Sequence, residues 1–110
     1  METKEISEGT TLTLVITGRL DGLGAGKLQS DMMAAFERMT KAFVQVKTLV
    51  FDLSGVEYIS SAGLRVLLLA YKHMAQSKGE MRIVGVQDKV MEVLAMTGMD
   101  KQLQIVRAKS

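Results

Sequence analysis

The chain has 110 residues, 47% of them apolar and 5% aromatic, with no tryptophan, cysteine or proline. That length holds one core and not two, and the core must be assembled from aliphatic side chains and nine methionines. The net charge of +2 is scattered, which excludes a basic nucleic-acid face, and the missing cysteines exclude disulfides and thiolate metal sites. The first ten residues have no apolar signal region, and no stretch approaches the ~18 apolar residues of a membrane span. A cytoplasmic domain over residues 1–110 is expected, with its core at about 3–106 and a frayed tail at 107–110.

In chain order, Glu5-Ile6 reads as part of a short strand and Glu8-Gly9-Thr10 as a turn. From Thr11 to Thr17 the residues alternate, with Leu12, Leu14 and Ile16 on one side, as in a half-buried strand hairpinned to the first. Gly18 to Gly26 contains four glycines and reads as a loop. It lacks both the G-x-G-x-x-G spacing and the Gly-Lys-Ser/Thr of a triphosphate-binding loop. Lys27 to Thr40 is predicted helical, with Leu28, Met32, Ala35, Phe36 and Met39 on one face.

Leu49-Val50-Phe51, closed by Asp52, is predicted as a buried strand, after which Leu53 to Ile59 carries the chain away. The period then becomes helical, with Leu64, Leu67, Leu68, Tyr71 and Met74 assigned to the core. That phase turns Val66, Leu69 and Ala70 outward beside Arg65 and His73. They form either a docking surface or the seat of a neighbouring helix. Ser60 and Ser61 fall at the start of this helix. Serine there caps free amides, and the same place favours an added phosphate, so both readings stand. Arg65, one turn on, is either a solvated arginine or within reach of a phosphate on Ser61.

Gly79 is expected as the left-handed residue after this helix. Met81 to Val86 follows as a strand, then a short helix opened by Gln87-Asp88 and stopped by Gly98, then an edge strand at Leu103-Gln104-Ile105. The fold class is α/β (α+β), a small mixed sheet of four to five strands with helices mainly on one face.

Catalysis is not expected. The single histidine, His73, lies twelve residues beyond Ser61 on the same predicted helix, roughly 18 Å along its axis. A serine needs its base within about 3 Å. No G-x-S-x-G elbow is present, and one histidine with no cysteine gives no zinc set. Neither metal nor cofactor is called for.

The run D-L-S-G-V-x-x-I-S-S-A-G-L-R-V-L-L, Asp52 to Leu68, resembles the signature of the STAS domain of bacterial anti-sigma factor antagonists. Thr17-Gly18-Arg19-Leu20-Asp21 resembles that family's G-x-L-D segment, and Met96-Thr97-Gly98-Met99 is similar to its closing T/S-G-hydrophobic turn. The three pieces occur in order and span nearly the whole chain. The resemblance implies a protein that, unphosphorylated, binds an anti-sigma factor acting as an ATP-dependent serine kinase and so releases a sigma factor. Phosphorylation turns this contact off, and a separate serine phosphatase restores it. Aligned on Gly63-Leu64, Ser61 takes the phosphoacceptor place and Ser60, the second choice, stands where the family has Asp. Asp21, Ser60, Ser61, Ala62, Gly63, Arg65, Val66 and Leu69 form the implied partner surface, with no direct nucleic-acid contact and no membrane insertion. Related domains imply an alternative without Ser61 phosphorylation. In it the domain is an accessory subunit of a lipid-transport ATPase, a scaffold in a stress-sensing complex, or a nucleotide or small-ligand sensor using the Gly18–Gly26 loop.

Overall fold

The computed structural model describes residues 1–102 and 104–108. Strands β1 (Glu2–Glu8) and β2 (Thr11–Leu20) are followed by helix α1 (Gly22–Lys41), strand β3 (Thr48–Ile59) and helix α2 (Ser61–Gln76). Strand β4 (Glu80–Val86), helix α3 (Asp88–Met96), a 3₁₀ turn (Met99–Lys101) and strand β5 (Gln104–Arg107) complete the order. β1 pairs antiparallel to β2, while β2 to β5 run parallel, so sheet order equals chain order. Each parallel step requires a crossover, and crossovers of one hand stepping in one direction stack their helices on one face.

The register shows which face that is. Leu12, Leu49 and Met81 lie side by side, as do Leu14, Phe51 and Ile83, and all six are buried. Between these rows Thr13, Val50 and Arg82 turn to the opposite, partly exposed face. Leu28, Met32, Ala35 and Phe36 of α1 are buried, as their spacing predicts. Each fully buried leucine or phenylalanine here contributes on the order of 1.5–3 kcal/mol. An exposed Arg38–Glu5 ion pair ties α1 to β1.

Five expectations need correction. The glycine-rich segment is no loop: β2 runs to Leu20 and α1 begins at Gly22, because Asp21 supplies a side-chain cap to the helix. β3 likewise does not end at Asp52. Between Val15 and Thr17 of β2 the partner strand advances from Asp52 to Gly55, and between Gly18 and Arg19 from Val56 to Tyr58. β3 therefore carries two extra residues as bulges, and its buried Leu53, Val56 and Ile59 recur every third residue instead of every second.

The third correction is the phase of α2. Its buried stripe is Gly63, Val66, Leu67, Ala70 and Met74, while Leu68 and Leu69 are exposed. Val66, at 4% exposure, is core and not available to a partner. Fourth, the left-handed residue after α2 is Lys78 (φ 60°), and the amide of Gly79 closes the turn on the Met74 carbonyl at 2.8 Å. The end of α1 has the same form. Phe43 (φ 60°) donates to the Thr40 carbonyl at 3.0 Å and Val44 to that of Met39 at 2.8 Å. Fifth, the chain is held past 106: Arg107 belongs to β5 and the Ala108 amide donates to the Val86 carbonyl at 2.8 Å. The expected strand residue Leu103 and the end of the expected tail, Lys109 and Ser110, lie outside the described residues.

Candidate functional site

Both α1 and α2 begin at the carboxyl edge of the parallel strands, where open α/β sheets present their binding residues. The joint between them is a single carbonyl. The Leu20 oxygen, at the end of β2, accepts from the Ser60 amide at 2.8 Å and from the Ser60 hydroxyl at 2.9 Å. The same hydroxyl oxygen accepts from the Gly63 amide at 3.2 Å and so caps α2. One residue away on the other strand, Asp21 Oδ1 accepts from the Gly24 amide at 2.9 Å and caps α1. Asp21 and Ser61 thus flank the Leu20–Ser60 bond, brought together from positions forty residues apart.

The two serines have opposite commitments. Ser60 is partly buried and spends its hydroxyl on two bonds. Ser61, the first residue of α2, is exposed, and its hydroxyl has no hydrogen-bond partner among the described residues. Ala62 is half-buried. Gly63 is buried, and a Cβ there would stand 2.9 Å from Ile59 Cγ1 and 3.0 Å from the Leu20 oxygen. It serves the site by letting the helix approach the sheet, not by meeting a partner, which corrects its assignment to the contact surface. Val66 leaves that surface for the same reason of burial. Arg65 is exposed and forms no ion pair among the described residues, and Leu69 is 43% exposed further along the helix.

Ser61 and Arg65 share a groove of about 320 Å³ with Leu64, Leu68, Thr97, Met99 and Gln102. It runs between α2 and the turn that follows α3. Other exposed groups near this edge escaped sequence reasoning. Leu23, in the first turn of α1, is 89% exposed, and the Arg19 guanidinium lies 4.2 Å from the centre of the Tyr58 ring. The Leu23 signal lies in helical phase: at about 100° per residue it stands on the side of α1 opposite buried Met32. Among the described residues no group of three or more His, Cys, Asp or Glu is placed to hold a metal, and no helix is long and apolar enough to cross a membrane.

A family model described as the STAS domain matches residues 2–109. The chain belongs to the STAS domain family. It is 31% identical over 87 residues to BtrV of Bordetella bronchiseptica, named as a candidate anti-sigma factor antagonist, covering 79% of this chain and 70% of that one. It is 30% identical over 94 residues to the anti-sigma F factor antagonist of Paenibacillus polymyxa, covering 86% and 76% of the two chains. The anti-sigma factor antagonist SpoIIAA, solved in its unphosphorylated form, superposes with a TM-score of 0.78 at 13% identity, covering 94% of this chain and 87% of that one. Its phosphorylated form, from Bacillus, gives 0.72 at 12% identity, covering 94% and 90%. At these identities the two superpositions speak for the STAS fold alone.

Proposed function

We propose that this STAS domain is a cytoplasmic anti-sigma factor antagonist whose hold on its anti-sigma factor is switched by phosphate on Ser61. The observation that carries the reading is the division of labour at the start of α2: Ser60 caps the helix, so the exposed Ser61 hydroxyl is free for chemistry. The names of the relatives at 30% identity and above supply the partner class.

The chemistry of the switch follows from charge. A phosphate adds about −1.5 to −2 charges at neutral pH. The fold accommodates it, because the helix start favours negative charge and the amides of Ser61 and Ala62 have no acceptor among the described residues. Arg65, four residues on, offers a guanidinium from the next turn. A partner surface laid over Ser61 has to strip water from that same charge, and a loss of about 3 kcal/mol lowers affinity more than a hundredfold. In this reading the anti-sigma factor is itself an ATP-dependent serine kinase, a phosphatase resets the switch, and the domain is a regulatory ligand rather than an enzyme.

The test is calorimetric titration of an anti-sigma factor kinase with wild type, Ser61→Ala and Ser61→Asp, alongside intact-mass analysis after incubation with ATP. Ser61→Ala is expected to bind as wild type and take no phosphate, and Ser61→Asp to fold normally and bind at least about a hundredfold more weakly. Equal affinity of Ser61→Asp and wild type overturns the switch.

A further inference from the structure

The three sequence motifs do not all meet at the Leu20–Ser60 joint. The Met96-Thr97-Gly98-Met99 turn stands apart from it, across the groove from Ser61 and Arg65. Its geometry is firmly set. Gly98 adopts φ 77°, Thr97 Oγ1 donates to the Leu94 carbonyl at 2.6 Å, and the Met99 amide donates to Thr97 Oγ1 at 3.3 Å. Met99 is thereby buried at the base of the groove, and Leu68, 38% exposed, forms its rim.

We infer that this groove seats one apolar side chain of the anti-sigma factor, presented by a segment that also carries a carboxylate for Arg65. The inference rests on the proposed function and adds where the partner anchors and what chemistry it brings. About 320 Å³ is at the small end of ligand-sized clefts, suited to a single anchoring side chain. Leu64, Leu68 and Met99 supply its apolar part, and the lining contains a cation but no carboxylate. The fitting partner is therefore apolar at its tip and acidic beside it. A second copy of this chain does not match, because an isologous contact would set the same cationic groove against itself. The groove opens at Ser61, so any surface that covers the serine also lies over it.

This placement gives the phosphate a second point of action. A phosphate on Ser61 draws Arg65 to itself and puts negative charge at the mouth of the groove. The partner's carboxylate then loses its cation and meets an anion, while the apolar anchor loses a dry seat.

The experiment is titration of the full chain with its anti-sigma factor kinase, using Leu68→Asn, Gln102→Glu, Gln102→Lys and Ser61→Asp. Leu68 and Gln102 are both exposed, so the variants should keep the wild-type circular dichroism and melting temperature. Leu68→Asn is expected to weaken binding at least about tenfold, Gln102→Glu to weaken it severalfold, and Gln102→Lys to preserve or strengthen it. If Leu68→Asn and Gln102→Glu bind as wild type while Ser61→Asp does not, the groove is overturned and the proposed function stands. If Ser61→Asp also binds as wild type, the proposed function fails. A concentration-dependent dimer in sedimentation that Leu68→Asn dissociates, with partner affinity unchanged, assigns the groove to self-association and overturns the inference.

Discussion

The two ends of the sheet stabilise their helix termini by different means. At the carboxyl edge, α1 and α2 start with side-chain caps from Asp21 and Ser60, and each has a buried glycine in its first turn. At the amino edge the same two helices stop mainly through backbone bonds, joined at α2 by the Ser77 hydroxyl donating to the Met74 carbonyl at 3.1 Å, with Phe43 and Lys78 in the left-handed region where glycine is the usual occupant. Phe43 is also 98% exposed. The first end depends on which residues are present, down to single atoms. The second holds residues that fit its geometry poorly at Phe43 and Lys78, although a Cβ on Gly79 would stand 2.9 Å from the Lys47 carbonyl oxygen. Side-chain caps are therefore concentrated at the end where function is proposed.

Substitutions break or sharpen that contrast. The largest effect is expected at Gly24, where a Cβ would stand 2.4 Å from the Arg19 carbonyl oxygen. Backbone cannot yield as a flexible side chain does, so Gly24→Ala should lower stability by about 3 kcal/mol in urea unfolding. Next comes the serine pair. Ser60→Ala removes the cap of α2 and should cost about 1 kcal/mol, whereas Ser61→Ala should stay within about 0.5 kcal/mol of wild type. Equal losses from the two would mean that Ser61 shares the capping. The smallest change is a gain. Phe43→Gly relieves the left-handed strain at some cost in chain entropy and should raise stability by about 0.5–1 kcal/mol, seen as a higher unfolding midpoint.

Much of the fold is legible in the sequence, and what is not has physical causes. Leu12, Leu14 and Ile16 alternate cleanly because β2 is regular there and buried on one face. The far half of β3 is obscured because two bulges turn a period of two into one of three. The start of α1 is obscured because four glycines from Gly18 to Gly26 read as flexibility, when Gly24 answers a steric demand from the end of β2, packed directly against it. α2 is misphased for another reason. Leu64 to Ala70 is apolar at every place but Arg65, so nearly any stripe looks like the buried one. Of the candidate site residues, Ser60 and Ser61 are readable from capping chemistry, whereas Asp21 is reached only through the family resemblance, its segment reading as a loop. The groove is not readable, since its walls come from α2 and from a turn some thirty residues later.

The Leu20 oxygen, which receives both the amide and the hydroxyl of Ser60, leaves the mouth of α2 no freedom to rearrange on its own. In the proposed reading a visiting protein meets a platform already in its final shape, and no loop has to be frozen at the moment of encounter. Complex formation there should then show fast, single-step kinetics, with little conformational entropy lost on this side of the interface.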